Sequence, residues 1–392
     1  MVASDRSAGP RQGVVLMAAA VMPAMAIISL VPVLPMLLRE FGDVPGAAVL
    51  VPMTLTVPAL CVALFSPLAG WLSDRIGRKR VLVAALLLYG AIGLMPLALH
   101  SLVLILGSRI LLGLNEAAIT TVATTMIGDY YEGARRERWV AIQTAVVSLS
   151  AIVLIALGGV LGEAFGSRGP FLLYLLALPI AALAAAILFE PATTARAAPR
   201  PAFPLRPVAA IIATTLAAAV LFYTLLLQIG PVLGLAGVTS PAVIGAVGAA
   251  ANVGVVLGSL AFRRLAALPT RGLLAAGFGL AAAGYLGVAY LGGVWAVTGL
   301  TVLACIGGGI LLPTLLTAVL RVLPAFARGR GTGLWTGTFF LGQFVAPVLA
   351  AGLAQATGGL RPALAILGWC ALAGAAVLAL RRERRPALAM RG

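Results

Sequence analysis

Gly70-Trp71-Leu72-Ser73-Asp74-Arg75-Ile76-Gly77-Arg78-Lys79-Arg80 separates two apolar runs, 47–70 and 81–99, neither of which contains an Asp, Glu, Lys or Arg. Roughly 20 apolar residues are enough for a helix to cross the hydrocarbon of a bilayer. Irregular backbone cannot face lipid, because its N–H and C=O groups would go unpaired, so each run reads as a helix. The quoted stretch is then a short basic connection between two crossings.

The same alternation extends to both ends of the chain. Runs are predicted at 14–38, 47–70, 81–99, 102–128, 139–163 and 170–189. A second set is predicted at 207–231, 241–262, 272–291, 295–320, 332–355 and 362–380. The break between the ninth and tenth rests only on Gly292 and Gly293. The composition agrees: 62% of the 392 residues are hydrophobic and 10% are charged, against about a quarter charged in soluble domains. The expected fold class is an all-α membrane protein with twelve transmembrane helices.

A net charge of +16 would suggest nucleic acid if the charges formed one stripe, but they do not. Arg75, Arg78, Lys79 and Arg80 sit in one connection, and Arg135, Arg136 and Arg138 in another. Arg263, Arg264 and Arg271, and then Arg328 and Arg330, lie in two more. The alternate connections hold only Arg39, Arg168 and Arg361. Positive loops stay cytoplasmic, so the expectation is a multi-pass protein of a bacterial inner membrane with both termini in the cytoplasm. The partner is the lipid bilayer, with no nucleic acid, and the chain is read as a monomer. The segment 190–206, EPATTARAAPRPAFPLR, is Pro-rich and basic and reads as a cytoplasmic linker. It would divide an N-terminal six-helix bundle (1–189) from a C-terminal one with a basic tail (207–392). GSLAFRRLA at 258–266 weakly echoes GWLSDRIGR at 70–78, an internal repeat of the kind transporters carry.

Cys61, Cys305 and Cys370 all fall in apolar runs, and His100 is the only histidine. No metal-ligand spacing follows, no metal or other cofactor is expected, and no nucleophile constellation or ATP-binding loop points to an enzyme.

Gly70 to Arg80 closely resembles the signature loop of the major facilitator superfamily, G-x-L-x-D-R-x-G-R-K/R. The resemblance implies two pseudo-symmetric six-helix bundles and a conformational switch built on Gly70, Asp74, Arg75, Gly77 and Arg78. It places Asp74 at the N-terminus of the eleventh helix, near Thr332. Gly70 would allow close helix approach, and Arg75 and Arg78 would pair with Asp129 at the end of the fourth helix.

Arg109-Ile-Leu-Leu-Gly113-Leu-Asn115-Glu116-Ala117 in the fourth run resembles the family's R-x-x-x-G-x-x-x-A pattern. Arg109, Gly113, Glu116 and Thr120 are spaced 4, 3 and 4, so they share a helix face, which is expected to look into a central cavity. A charge at mid-membrane costs about 3 kcal/mol even on a lenient scale, so it is kept for function or for a specific pair. Glu116 is the only carboxylate near the middle of any run. It is expected to be the proton-coupling site, with Arg109 tuning it; the alternative is a Glu that locks helix packing through a buried pair.

Polar and aromatic residues within the runs mark a substrate site: Asn115, Gln143, Gln228, Asn252, Trp335, Phe339 and Gln343. Phe222, Tyr223, Phe340, Met22 and Met25 would supply apolar walls. The expected function is secondary active transport by alternating access. It would be proton-coupled export of amphipathic small molecules, or alternatively proton-coupled import of a small organic solute on the same fold.

Overall fold

The structure is a computed structural model that describes residues 8–191, 204–265, 268–324 and 328–380. The expected linker lies mostly outside these residues, as do most of the basic tail and Ala266, at the end of the echoed repeat.

Fourteen helices follow in chain order among the described residues. They are α1 (Pro10–Ile28), α2 (Leu34–Glu40), α3 (Ala47–Ile76), α4 (Arg78–Leu94), α5 (Leu102–Tyr130), α6 (Gly133–Phe165) and α7 (Ala177–Ile187). The second series is α8 (Leu205–Leu227), α9 (Ile229–Gly234), α10 (Pro241–Leu265), α11 (Thr270–Tyr290), α12 (Val294–Val322), α13 (Arg328–Thr357) and α14 (Leu360–Leu380).

Among the described residues, eleven helical runs are long and apolar enough to cross a membrane. The longest, Gly133–Ile187, has 55 residues. At 1.5 Å per residue that far exceeds a bilayer of about 30 Å. Gly166 breaks it with φ +71, and the chain continues as the 3-10 stretch Gly166–Leu176 and then α7. Split there, the run supplies the fifth and sixth predicted crossings. The break between the ninth and tenth is likewise a backbone event: Gly293 has φ +91, between α11 and α12, a conformation that an L side chain resists.

The signature stretch is not a loop. Gly70 to Ile76 form the last turns of α3, Gly77 is the turn, and Arg78 begins α4. The charges there lie at the polar boundary, where helices can continue with their backbone groups paired.

Buried side chains form two main cores. One gathers residues from Ala8 to Leu188 together with Leu227, and the other runs from Ala218 to Ala375. The helices of the two cores meet where α6 packs on α10 and α3 on α13. Glycine makes the first contact close: a Cβ on Gly159 would lie 2.6 Å from the Pro241 carbonyl oxygen, and one on Gly245 would lie 2.8 Å from that of Ile155. Dispersion and helix approach, rather than water exclusion, hold helices together in lipid, so small residues mark such seams.

Candidate functional site

A cavity of about 460 Å³ lies between the two sets of helices. Its walls come from the second half of α1, from Thr120 of α5, and from α6 at Gln143 to Ala151. Opposite stand Phe222 and Tyr223 of α8, Asn252 of α10, and Trp335, Phe339, Phe340 and Gln343 of α13. The residues of α6 and α13 come mostly from the first halves of those helices and Thr120 from the second half of α5, the halves that adjoin basic connections, whereas those of α1 and α8 come from second halves that do not, so the cavity lies near the middle of the bundle.

The end away from the basic connections is closed. There Gly159 meets Gly245, Gly162 meets Pro241, and Pro35 lies against Gly230. Glu163 of α6 accepts a hydrogen bond from the Ser240 hydroxyl (2.8 Å) and one from the Ala242 backbone N–H (3.4 Å). Its carboxylate therefore sits at the N-terminus of α10, where the helix dipole favours negative charge.

Of the seven residues expected at a substrate site, Gln143, Asn252, Trp335, Phe339 and Gln343 line the cavity. Asn115 does not: its amide donates to the Leu111 carbonyl of its own helix (2.8 Å), since a polar side chain on a face turned from the cavity satisfies itself locally. Gln228 ends α8, and its carbonyl accepts from Val232 N–H; it is a buried joint between α8 and α9 rather than a cavity residue. Met22 and Met25 pack in the first core instead.

Phe222, Tyr223, Trp335 and Phe340 each contact the ring of Phe339, and the Trp335 and Phe339 rings are nearly parallel, with centroids 5.7 Å apart. Among the described residues, no charged side chain lines the cavity. Three buried polar atoms on its wall have no hydrogen-bond partner: Thr120 Oγ1, Trp335 Nε1 and Gln343 Oε1.

The face carrying Arg109 and Glu116 turns into the first core, not into the cavity; only Thr120 at its end reaches the wall. Arg109 is 1% exposed and Glu116 2%. The Arg109 guanidinium donates to the Tyr174 hydroxyl (2.8 Å) and to the Gly93 carbonyl (3.4 Å). It also lies over the Phe171 and Tyr174 rings, a cation–π arrangement that offsets part of its desolvation. Arg109 and Glu116 make no ion pair with each other among the described residues. Glu116 Oε1 has no partner, and Thr120 stands one turn further along. Gly113 lets α5 approach α3: a Cβ there would lie 2.7 Å from Pro58 Cα and from Cys61 Cβ. Tyr89 and Tyr174 belong to this cluster and were not legible in the sequence, because an aromatic in a span carries no signal of its own.

The signature residues form a separate cluster at the basic end. Arg78 pairs with Asp129 and with Asp74, the latter at 3.3 Å. Arg75 does not reach Asp129; its guanidinium covers the Trp71 ring at 4.2 Å, because Arg78, in the first turn of α4, points at the end of α5. Asp74 takes Arg78 rather than the α13 N-terminus and is 62% exposed, at the basic end of the bundle. A Cβ on Gly70 would find ordinary contact with Thr121 at 3.6 Å, so no close approach demands glycine there.

Gly77 is different. Its φ is +107, and a Cβ would lie 2.9 Å from a Glu190 carboxylate oxygen. Glu190, just past α7, accepts the backbone N–H groups of Arg78 and, at 3.1 Å, of Lys79, which are free donors at the start of a helix. Phe189 and Tyr130 also hydrogen-bond in both directions, pinning the segment after α7 to the end of α5. Glu190 was expected only as linker; a lone Glu before Pro191 gives no hint that it caps a helix more than 100 residues earlier. Gly77→Ala is expected to lower stability by about 1–3 kcal/mol through backbone strain, with a further loss as the carboxylate is displaced. Thermal unfolding of the purified protein checks this, and a midpoint equal to wild type would refute it.

The Major Facilitator Superfamily profile matches residues 16–292, well over half of the chain. The class E tetracycline resistance protein of Escherichia coli is 36% identical over 152 residues, which are 38% of this chain and 36% of that protein. The bacillibactin exporter of Bacillus subtilis (strain 168) is 31% identical over 109 residues, 26% of each chain. The chain thus covers about a third or less of the length of these relatives. A crystal structure of a bacterial homolog to the human lysosomal transporter Spinster, inward-facing and occupied, superposes with a TM-score of 0.76 at 16% identity, over 95% of this chain and 97% of that one; at that identity the likeness speaks for the fold. With the profile matched across the first core and into the second, over well more than half of its length, the chain belongs to the Major Facilitator Superfamily.

Proposed function

We propose that this protein is a secondary transporter of a bacterial inner membrane that exports amphipathic small molecules by alternating access, coupled to protons. The observation that carries the reading is the cavity between the two cores, closed at the end away from the basic connections by the glycine seam and the Glu163 contact. The basic end is read as cytoplasmic, so this conformation would load solute from inside. The two six-helix halves, 1–189 and 207–392, would rock about that site, as repeat-built carriers do. The cluster of Asp74, Arg78, Asp129 and Glu190 would break and reform as they move. Export rather than import is supported by relatives named for tetracycline resistance and for bacillibactin export.

Proton coupling is assigned to Glu116. Its buried, unpartnered oxygen stands one turn from the unpartnered hydroxyl of Thr120 on the cavity wall. That gives a proton a short route between the cavity and the carboxylate. Arg109 acts on it electrostatically from a fixed position. Everted membrane vesicles test the whole reading. A fluorescent uncharged amphipath should accumulate when the lumen is acidified, and the accumulation should collapse when nigericin dissipates the pH gradient. Accumulation only under the opposite gradient would favour the importer.

A further inference from the structure

We infer that the cavity selects an uncharged aromatic solute bearing a hydrogen-bond donor, and discriminates against charged amphipaths of the same shape. The inference rests on the reading of this cavity as the transport site. It narrows the substrate from amphipathic molecules in general to one electrostatic class.

Three observations lead there. First, among the described residues the wall holds no charged side chain. A cation or anion entering it would leave water without meeting an opposite charge, and burying an unpaired charge is far costlier than burying a dipole. Second, the apolar wall is a ring cluster centred on Phe339, with Trp335 parallel to it; such faces favour stacking with a flat ring system. Third, the unpartnered polar atoms have complementary roles. Trp335 Nε1 can only donate, whereas Gln343 Oε1 can accept. They stand eight residues apart on α13, about 12 Å along its axis. A solute that accepts at one end and donates at the other satisfies both, and leaving buried groups unpaired is what makes a site reject the analogue that lacks them. Ring faces also attract cations, so a lipophilic cation is the serious rival. With no carboxylate on the wall, ring attraction alone would have to repay its desolvation.

The test is equilibrium binding to the full chain in nanodiscs at pH 7, with empty nanodiscs subtracted and no ion gradient present. Four probes share one three-ring scaffold: 9-phenanthrol, 9-methoxyphenanthrene, phenanthrene-9-carboxylate and trimethyl(phenanthren-9-yl)ammonium. The phenol is expected to bind at least about tenfold more tightly than either charged probe. Gln343→Leu should weaken the phenol by about tenfold and leave the methoxy ether unchanged, because only the phenol donates. Gln343→Glu supplies the missing carboxylate and should shift preference toward the ammonium probe, a gain that misfolding cannot imitate. Equal or tighter binding of the ammonium probe to the wild type, or indifference of the phenol to Gln343→Leu, would overturn the inference. If the selectivity holds in nanodiscs while vesicles move no solute, the transport reading fails and the cavity assignment stands. If vesicles move the fluorescent amphipath but the phenol shows no preference, the inference fails alone.

Discussion

Glu116→Gln is expected to abolish gradient-driven transport while leaving exchange of solute across the membrane intact. The two side chains have nearly the same shape, so the close packing of α5 against α3 at Gly113 should survive. Glu116 is in no ion pair among the described residues, so its neutralisation strands no partner charge, the usual reason why removing a buried acid unfolds a protein. What the amide cannot do is bind and release a proton. Accumulation driven by a pH gradient should fall at least about tenfold, equivalent to roughly 1.4 kcal/mol or more of lost coupling. Counterflow between equal pH values should stay within about twofold of wild type. Retained pH-driven accumulation would remove Glu116 from the coupling role. Arg109→Gln is a different experiment, because Arg109 holds the Tyr174 hydroxyl and the Gly93 carbonyl; its loss should cost stability as well as transport.

The second large effect is expected at the seam between the cores. In Gly159→Leu the new side chain would begin 2.6 Å from the Pro241 carbonyl and 3.0 Å from Gly245 Cα, both backbone atoms of α10. Neither can move without moving the helix. The closed end should therefore be unable to form, and transport should fall at least about tenfold, although the protein still inserts. Closure is read directly by giving Ser240 a thiol in a chain whose exposed Cys370 is Ser. A membrane-impermeant maleimide should label Ser240→Cys faster in the Gly159→Leu background. Gly234→Leu is the control, since a Cβ there meets nothing within 4 Å. Unaltered labelling and transport in Gly159→Leu would show that this seam is not the barrier.

Much of the architecture was legible before any coordinates. The apolar runs require helices because lipid offers backbone groups no partner. The alternation of basic and neutral connections carries an orientation, and the 70–80 stretch carries the family resemblance. The site was legible only in part. Gln143, Asn252, Trp335, Phe339 and Gln343 were picked as polar or aromatic residues inside spans, and they do line the cavity. The same rule chose Asn115 and Gln228, which do not, because residue type does not say which way a helix face is turned.

Composition and periodicity by themselves determined that the chain is a helical membrane protein, since hydrophobic length and loop charge are properties of each segment alone. They also fixed that Arg109, Gly113, Glu116 and Thr120 share one face, because 3.6 residues per turn is local geometry. Only the tertiary structure decided that this face turns into the first core with Thr120 alone at the cavity, that Asp74 takes Arg78 rather than the α13 N-terminus, and that Glu190 closes the start of α4. Each of these depends on which helices pack together and at what rotation. Shape and small-residue contacts between distant segments set that rotation, and no single segment encodes it.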